Sequence, residues 1–412
     1  MIEQIIKRDG RRAPFEIDKI ANAIFGAAKA SGGQDYEMAR GLAEQVEKAL
    51  EASAGNEIPT VEQIQDTVEK VLIESGHART AKKYILYRNE RTRVREMNTK
   101  LMKVYEDLTF QSSLENDVKR ENANIDGDTA MGTMLKYGSE GAKQFYEMFI
   151  LDPEHARAHR EGDIHIHDLD FLTLTTTCCQ IDLLKLFAGG FSTGHGFLRE
   201  PNDIRSYAAL ACIAIQSNQN DQHGGQSVPN FDYSMAPGVR KTFRKLFRDN
   251  LAKALEVFGA DENNEVDAQA LTGRVEQQTG KWACLAGDNG YDEAMAAALG
   301  ETLDQEAVRK CLRFARKYAD KETRRTTYQA MEALVHNLNT MHSRAGAQIP
   351  FSSLNYGTDT SPEGRLVMEQ LLLATEAGLG NGETPIFPIH IFKVKEGVNY
   401  NEGDPNYDLF KL

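Results

Sequence analysis

Two sets of residues in this 412-residue sequence could do more chemistry than a folded core requires. The first is a run of cations on a chain whose formal net charge is −13. Lys7 and Arg8 open Lys7-Arg8-Asp9-Gly10, and Lys19 follows in Asp18-Lys19-Ile20. Arg79, Lys82, Lys83, Arg88, Arg91, Arg93 and Arg95 then crowd residues 78–95 against a single acid, Glu90. A triphosphate carries about four negative charges, so a pocket for one needs several Lys or Arg groups converging with charge-assisted hydrogen bonds. Taken alone, a basic helix face is more often simply solvated. The second set is Gly162-Asp163-Ile164-His165-Ile166-His167-Asp168-Leu169-Asp170 and, close behind it, Cys178-Cys179-Gln180-Ile181-Asp182. On a strand His165 and His167 would share a face, which permits a metal site with Asp168 or Asp170. Two histidines alone rarely make one, and packing and hydrogen bonding is the expected role. A free cysteine behaves by default as a small buried hydrophobe. Cys311, on the stripe Val308, Cys311, Leu312, Ala315, and Cys212, within Ala208 to Ile215, are read that way. Cys179, Cys284 and His223 receive no role. Gly224-Gly225 suits either close approach of a substrate phosphate to the backbone or an ordinary turn.

The elements that must hold these residues are legible in outline. Gln4 to Lys7, Asp9-Gly10 and Arg11 to Phe15 predict a β-hairpin, since Asp-Gly fits a tight turn that needs positive φ. Ile17, Ile20, Ala21, Ile24, Phe25 and Ala28 recur at helical spacing, with Asp18 as the expected N-cap. A second helix carries Ala39, Leu42, Ala43, Val46 and Leu50. A third opens with the capping box Thr60-x-x-Gln63 and continues through Ile64, Val68, Val71 and Leu72. The fourth is the basic helix, from about Ala78 to Arg95. Residues 96–125 turn polar and aperiodic, which predicts a linker. Beyond them Thr327, Ala330, Met331, Leu334, Val335 and Leu338 form a further helical stripe. Gln348 to Tyr356 and Ile386 to Val394 read as strands, the second apolar on both faces and so buried. Asp261 to Glu265 reads as a surface loop. Helices alternating with strands predict an α/β core.

Bulk properties narrow the class. A hydrophobic fraction of 41% and a charged fraction of 26% suit a folded globular chain. The acidic balance argues against a protein that coats nucleic acid. No apolar run is long enough for a transmembrane helix, and Met1 to Arg8 lacks the layout of a signal peptide, so a cytoplasmic location is expected. Five cysteines form no CxxC pair, which implies neither a zinc ribbon nor a disulfide framework.

The ordered set of Lys7-Arg8-Asp9-Gly10, Asp18-Lys19-Ile20, the capped third helix and the Arg-rich fourth resembles the ATP-cone, the regulatory domain of ribonucleotide reductases. The resemblance implies that Lys7, Arg8, Lys19 and Arg91 touch an ATP or dATP effector, with Arg88 as a further candidate. Many such domains carry an acid just before the first helix, where Ala13 or Pro14 stands here. A second resemblance runs through Glu121-Asn122-Ala123-Asn124, the His165 and Cys178 motifs, Gly224-Gly225-Gln226, Asn339-Thr340-Met341-His342, Gly346-Ala347-Gln348-Ile349-Pro350-Phe351 and Gly403-Asp404-Pro405-Asn406-Tyr407-Asp408. These motifs are similar to those of the class III, oxygen-sensitive ribonucleoside-triphosphate reductases.

That resemblance implies an ATP-cone at residues 1–95, a linker at 96–125, and at 126–412 the N-terminal part of a ten-stranded α/β barrel of the glycyl-radical-enzyme type. Replacing a ribose 2′-hydroxyl by hydrogen is beyond side-chain acid–base chemistry and needs a radical. The family uses a thiyl radical to take the 3′-hydrogen, and a second cysteine, matched here by Cys178, to return a hydrogen atom at C2′. The thiyl-forming cysteine, the radical-storing glycine and a four-cysteine zinc site are expected beyond Leu412, in a part this chain lacks. A homodimer and a radical-SAM activating enzyme are the implied partners. Two other readings are a nucleotide-sensing chain without catalysis and a glycyl-radical lyase of the pyruvate formate-lyase kind. The His-Ile-His-Asp-Leu-Asp context and the cone point away from the lyase.

Overall fold

The computed structural model describes residues 2–8, 10–54, 58–110, 129–258, 266–287, 289–344 and 348–412. Asp9, Glu121-Asn122-Ala123-Asn124, the loop Asp261 to Glu265 and Gly346-Ala347 lie outside the described residues. The chain divides into two compact units, residues 1–107 with 144–165, and residues 108–143 with 166–412.

In the first unit β1 (Gln4–Ile6) pairs antiparallel with β2 (Arg12–Pro14), Ile5 opposite Ala13. Gly10, with φ 79°, supplies the left-handed turn. Four helices follow: α1 (Ile17–Lys29), α2 (Tyr36–Ala54), α3 (Val61–Glu74) and α4 (Ala78–Phe110). Their apolar stripes meet in one core around Ile24, Ala43, Val46, Val68 and Leu72. The capping box forms as expected, with Thr60 Oγ1 accepting from Gln63 N at 3.2 Å and Gln63 Oε1 accepting from Thr60 N at 2.8 Å. A bond from Ile6 N to the Pro59 carbonyl at 3.0 Å pins the hairpin beside the start of α3, so Lys7 and Arg8 emerge next to that helix's first turn.

Two expectations change here. The N-cap of α1 is Glu16, and Asp18 lies in the first turn. The basic helix does not end at Arg95 but continues to Phe110, so the first half of the expected linker is helical. Residues 96–110 contain neither Gly nor Pro to stop it.

The second unit is α/β. Its strands are β3 (Thr177–Gln180), a small hairpin of β4 (Phe191–Ser192) and β5 (Phe197–Leu198), β6 (His223–Val228), β7 (Ser352–Tyr356) and β8 (Ile389–Phe392). A parallel sheet has the order β3-β6-β7-β8. Val228, Leu354 and Tyr356 enter one core with the helices Ile204–Asp221, Phe231–Phe258, Gln305–Thr340 and Pro362–Ala377, and Cys212 is buried in it. Helices Phe231–Phe258 and Gln305–Thr340 run on to a second core that buries Cys311. The expectation of a strand buried on both faces fails at β8, where Ile389 and Ile391 are 55% and 43% exposed. The four helices cover the face that holds Leu354 and Tyr356, whereas Ile389 and Ile391 point to the other. The stretch Ile164 to His167 is irregular, between a helix and a short 3₁₀ turn, so the shared face that His165 and His167 would have on a strand does not arise.

One buried carboxylate ties helix to sheet. Asp232, fully buried at the start of Phe231–Phe258, accepts through Oδ2 from the N–H groups of Gly357, Thr358 and Asp359 at 3.0, 3.0 and 2.9 Å. It thereby fixes the turn that leaves β7.

Candidate functional site

Cys178 lies in β3 with φ 61°, a left-handed conformation that non-glycine residues seldom adopt. The strand pairing shifts register there, between Thr177↔His223 and Cys179↔Gln226. Gly224 makes this possible, because with φ 91° a Cβ on it would stand 3.1 Å from Cys178 Sγ and 3.2 Å from Cys178 N. The two neighbouring thiols differ. Cys178 is exposed. Cys179 is half-buried, and Asn218 Nδ2, on the helix Ile204–Asp221, donates to its Sγ at 3.1 Å. Burial pushes the Cys179 thiol up, against the Asn218 hydrogen bond that lowers it. Asn218 also donates to Gln226 Oε1 at 2.8 Å. The cavity in front of β3 is about 700 Å³ and is lined by both Cys178 and Cys179, with Gln226, Ser353, Phe351 and Phe387 among others. That is large enough for a nucleoside. No Lys or Arg is among the residues described as lining it.

The histidine motif supports the neighbouring strand. His223 is buried, its Nε2 is 3.1 Å from Asp168 Oδ1, and its ring stacks on Phe171 at 3.9 Å. Arg344 lies over the outer face of Phe171 at 5.9 Å and donates to the Gln222 carbonyl at 3.1 Å. His167 has an exposed side chain 3.6 Å from Asp168, and His165 contacts the ring of His159. Among the described residues no three His, Cys, Asp or Glu side chains gather as a metal site would require. Through Asp168 and Phe171, both in contact with His223, the motif packs against the strand that carries Gly224.

In the first unit Lys7 and Lys19 line one cavity of about 210 Å³, together with Phe15, Glu16, Gln65 and Tyr84. Lys19 Nζ is 2.8 Å from Glu16 Oε1. Tyr84 is buried at this cavity, and burial pushes its hydroxyl up to about 12. Arg8 bonds to Glu62 and, at 2.8 Å, to Gln65 Oε1. Arg88 donates to Glu62 and Asp66, each at 2.6 Å, and to Glu69 at 2.8 Å. Hydrogen bonds from Arg8, then Arg88, hold the Glu62 carboxyl below its usual range. Arg91 lies against Tyr87, 2.9 Å from its hydroxyl and over its ring. So Lys7 and Lys19 come together, Arg8 stands at the rim through Gln65, and Arg88 and Arg91 do not line the cavity.

A family profile described as anaerobic ribonucleoside-triphosphate reductase matches residues 121–412. The chain belongs to that family. An ATP cone domain profile matches residues 3–93. Relatives named anaerobic ribonucleoside-triphosphate reductase include that of Haemophilus influenzae, 29% identical over 99% of this chain and 50% of its own length. That of Salmonella typhimurium is 28% identical over 100% of this chain and 49% of its own length. That of Enterobacteria phage T4 is 29% identical over 72% of this chain and 40% of its own. The chain spans about half the length of the curated relatives it matches over its full extent. Among the described residues no helix is long and apolar enough to cross a membrane.

Sequence reasoning on this anaerobic-reductase chain missed Glu16, Glu62, Gln65, Asn218 and the His223–Asp168 pair. Placing the first N-cap at Asp18 hid Glu16, which stands at the N-cap of α1 and holds Lys19. Glu62 sits in the first turn of α3, where an acid is ordinarily explained by the helix dipole, so nothing marked it. Gly224 is a testable support of the cysteine site. Gly224→Ala is expected to cost about 2 kcal/mol, from its positive φ and the crowding of Cys178. It should also change the rate at which Cys178 is alkylated relative to Cys179, read by mass spectrometry. Unchanged stability and an unchanged ratio would mean that the close approach holds nothing in place.

Proposed function

We propose that this chain is the effector-binding and substrate-binding half of an anaerobic reductase that converts ribonucleoside triphosphates to 2′-deoxyribonucleoside triphosphates. The observation that carries this reading is Cys178, an exposed thiol on a strained strand position facing a nucleoside-sized cavity. In the proposed chemistry Cys178 delivers a hydrogen atom to C2′ of the ribose after the 2′-hydroxyl leaves as water, which leaves a thiyl radical at Cys178. An external two-electron reductant, formate or a dithiol protein, closes the balance and restores the thiol. A thiol suits that step, since its hydrogen transfers readily to a carbon radical. The lining of Gln, Ser and Phe, without a cation among the described residues, fits the sugar and base, with the triphosphate lying outside this cavity. A glycyl radical, generated by a radical-SAM activating enzyme, supplies the one-electron chemistry, and zinc belongs with the glycine-bearing part.

The finer architecture follows the same reading. The four parallel strands belong to a ten-stranded barrel. The uncovered face of β8, with Ile389 and Ile391 exposed, supports further structure packing there, because parallel sheets are normally covered on both faces. The protein acts as a cytoplasmic homodimer. Residues 1–95 form the regulatory domain, in which Lys7 and Lys19 grip the phosphates of ATP, which activates, or dATP, which inhibits. Arg8, Arg88 and Arg91 are the surrounding cations.

The test is an anaerobic turnover assay on the polypeptide of the whole reading frame, with its activating enzyme, measuring deoxynucleotide by chromatography. Product should form, rise with ATP and fall with dATP. Lys19→Ala should lose both responses and weaken dATP binding by calorimetry about a hundredfold, the scale of a lost charge-assisted phosphate contact. No deoxynucleotide from the unaltered protein would overturn the reductase function, and unchanged dATP affinity in Lys19→Ala would overturn the effector site.

A further inference from the structure

The cations beside the cone cavity are already engaged by acids of the same domain. Glu62, Asp66 and Glu69 share one face of α3 at helical spacing. Arg88, with a side chain 20% exposed, donates to all three. Glu62 is shared, because Arg8 bonds to its Oε1 while Arg88 takes Oε2. The two arginines are held differently. If Glu62 withdrew, Arg88 would still be anchored by Asp66 and Glu69. Arg8 would keep only Gln65 among the partners described, and Gln65 is an uncharged amide that itself lines the cavity. Arg8 also follows Lys7 directly in the chain, and Lys7 lines that cavity.

We infer that Glu62 is a built-in competitor for the effector phosphates: it occupies Arg8 while the cavity is empty, and the nucleotide binds by taking Arg8 from it. This rests on the nucleotide role proposed for the cavity. A triphosphate offers Arg8 a bidentate anionic partner of higher charge than one carboxylate, so the exchange runs toward the nucleotide. The cost of breaking the Arg8–Glu62 pair is subtracted from every binding event. Glu62 thus sets effector affinity without touching the effector, and Asp66 and Glu69 serve by keeping Arg88, and through it Glu62, in position.

Calorimetric titration of the 412-residue chain with magnesium dATP tests this. Glu62→Gln should bind dATP about fivefold more tightly, the upper end for an exposed ion pair, and Arg8→Ala about tenfold more weakly, the size of a lost charge-assisted phosphate contact. The double variant should bind like Arg8→Ala, since with Arg8 gone there is nothing to compete for. Asp66→Asn, which removes an equal charge one turn away, should change affinity less than about twofold. If the unaltered chain binds no dATP, the cavity is not a nucleotide site and the competitor has no target. If it binds and Glu62→Gln is unchanged or weaker, or if its gain persists without Arg8, Glu62 is not a competitor for Arg8. Glu62→Ala serves as the second variant if the glutamine protein fails to fold, which far-ultraviolet dichroism reports.

Discussion

Cys178→Ser is expected to abolish deoxynucleotide formation by the complete reductase, a loss of at least about 10⁴-fold or about 5.4 kcal/mol in the barrier. Serine nearly matches the shape of cysteine, so packing at β3 and the approach of Gly224 should survive. What is lost is chemical, because an O–H bond is too strong to yield its hydrogen atom to a carbon radical. Cys179→Ser is the control. That sulfur is half-buried, receives a hydrogen bond from Asn218 and has its ionisation suppressed by burial, so its loss should cost no more than about tenfold, a repacking effect. Calorimetric dATP binding should be the same in both variants. A Cys179→Ser protein as dead as Cys178→Ser would mean that the pair acts together and that the division between them is wrong.

Asp232→Ala should be the most damaging substitution for the fold. Its Oδ2 accepts three backbone N–H groups from the turn after β7, and its Oδ1 accepts from Tyr233 N at 3.0 Å. Truncation leaves buried donors with no acceptor, at roughly 1–3 kcal/mol each. A total of about 4 kcal/mol or more follows, beyond the ordinary range for point substitutions. Asp232→Asn keeps one acceptor oxygen and should cost about half as much. With two units in the chain a single unfolding curve is ambiguous. Hydrogen exchange at Gly357 to Asp359 reports the loss directly, and unchanged protection there in the alanine variant would contradict this role.

Local signals in the sequence were strong wherever a single element determined the outcome. The hairpin turn at Gly10, the Thr60–Gln63 capping box and the apolar stripes of the first three helices each depend on residues a few positions apart, and each formed. Cys212 and Cys311 are buried where their stripes put them. What local pattern could not carry was burial set by neighbours in space. Ile389 and Ile391 look like core residues, yet which side of β8 is covered depends on helices a dozen residues or more away in the chain. The alternation of Ile164, His165, Ile166 and His167 mimicked a strand, but among the described residues no strand pairs with it, and Asp168 turns left-handed with φ 50°. Family motifs singled out Cys178 as a candidate, but its contrast with Cys179 is a tertiary fact, made by Asn218 from another element. The same holds for the cone, where the cations were readable one by one while the carboxylate shared by Arg8 and Arg88 was not.

The most direct test of the central claim, that the Cys178 thiol supplies hydrogen to C2′ of the ribose, is turnover in deuterium oxide followed by mass and magnetic-resonance analysis of the product. Thiol hydrogens exchange with solvent, so the unaltered reductase should place one deuterium at C2′, and Cys178→Ser should make no labelled product. Deoxynucleotide carrying no deuterium at C2′, or labelled product from the Cys178→Ser protein, would show that the hydrogen comes from elsewhere and that Cys178 is a structural residue of the strand.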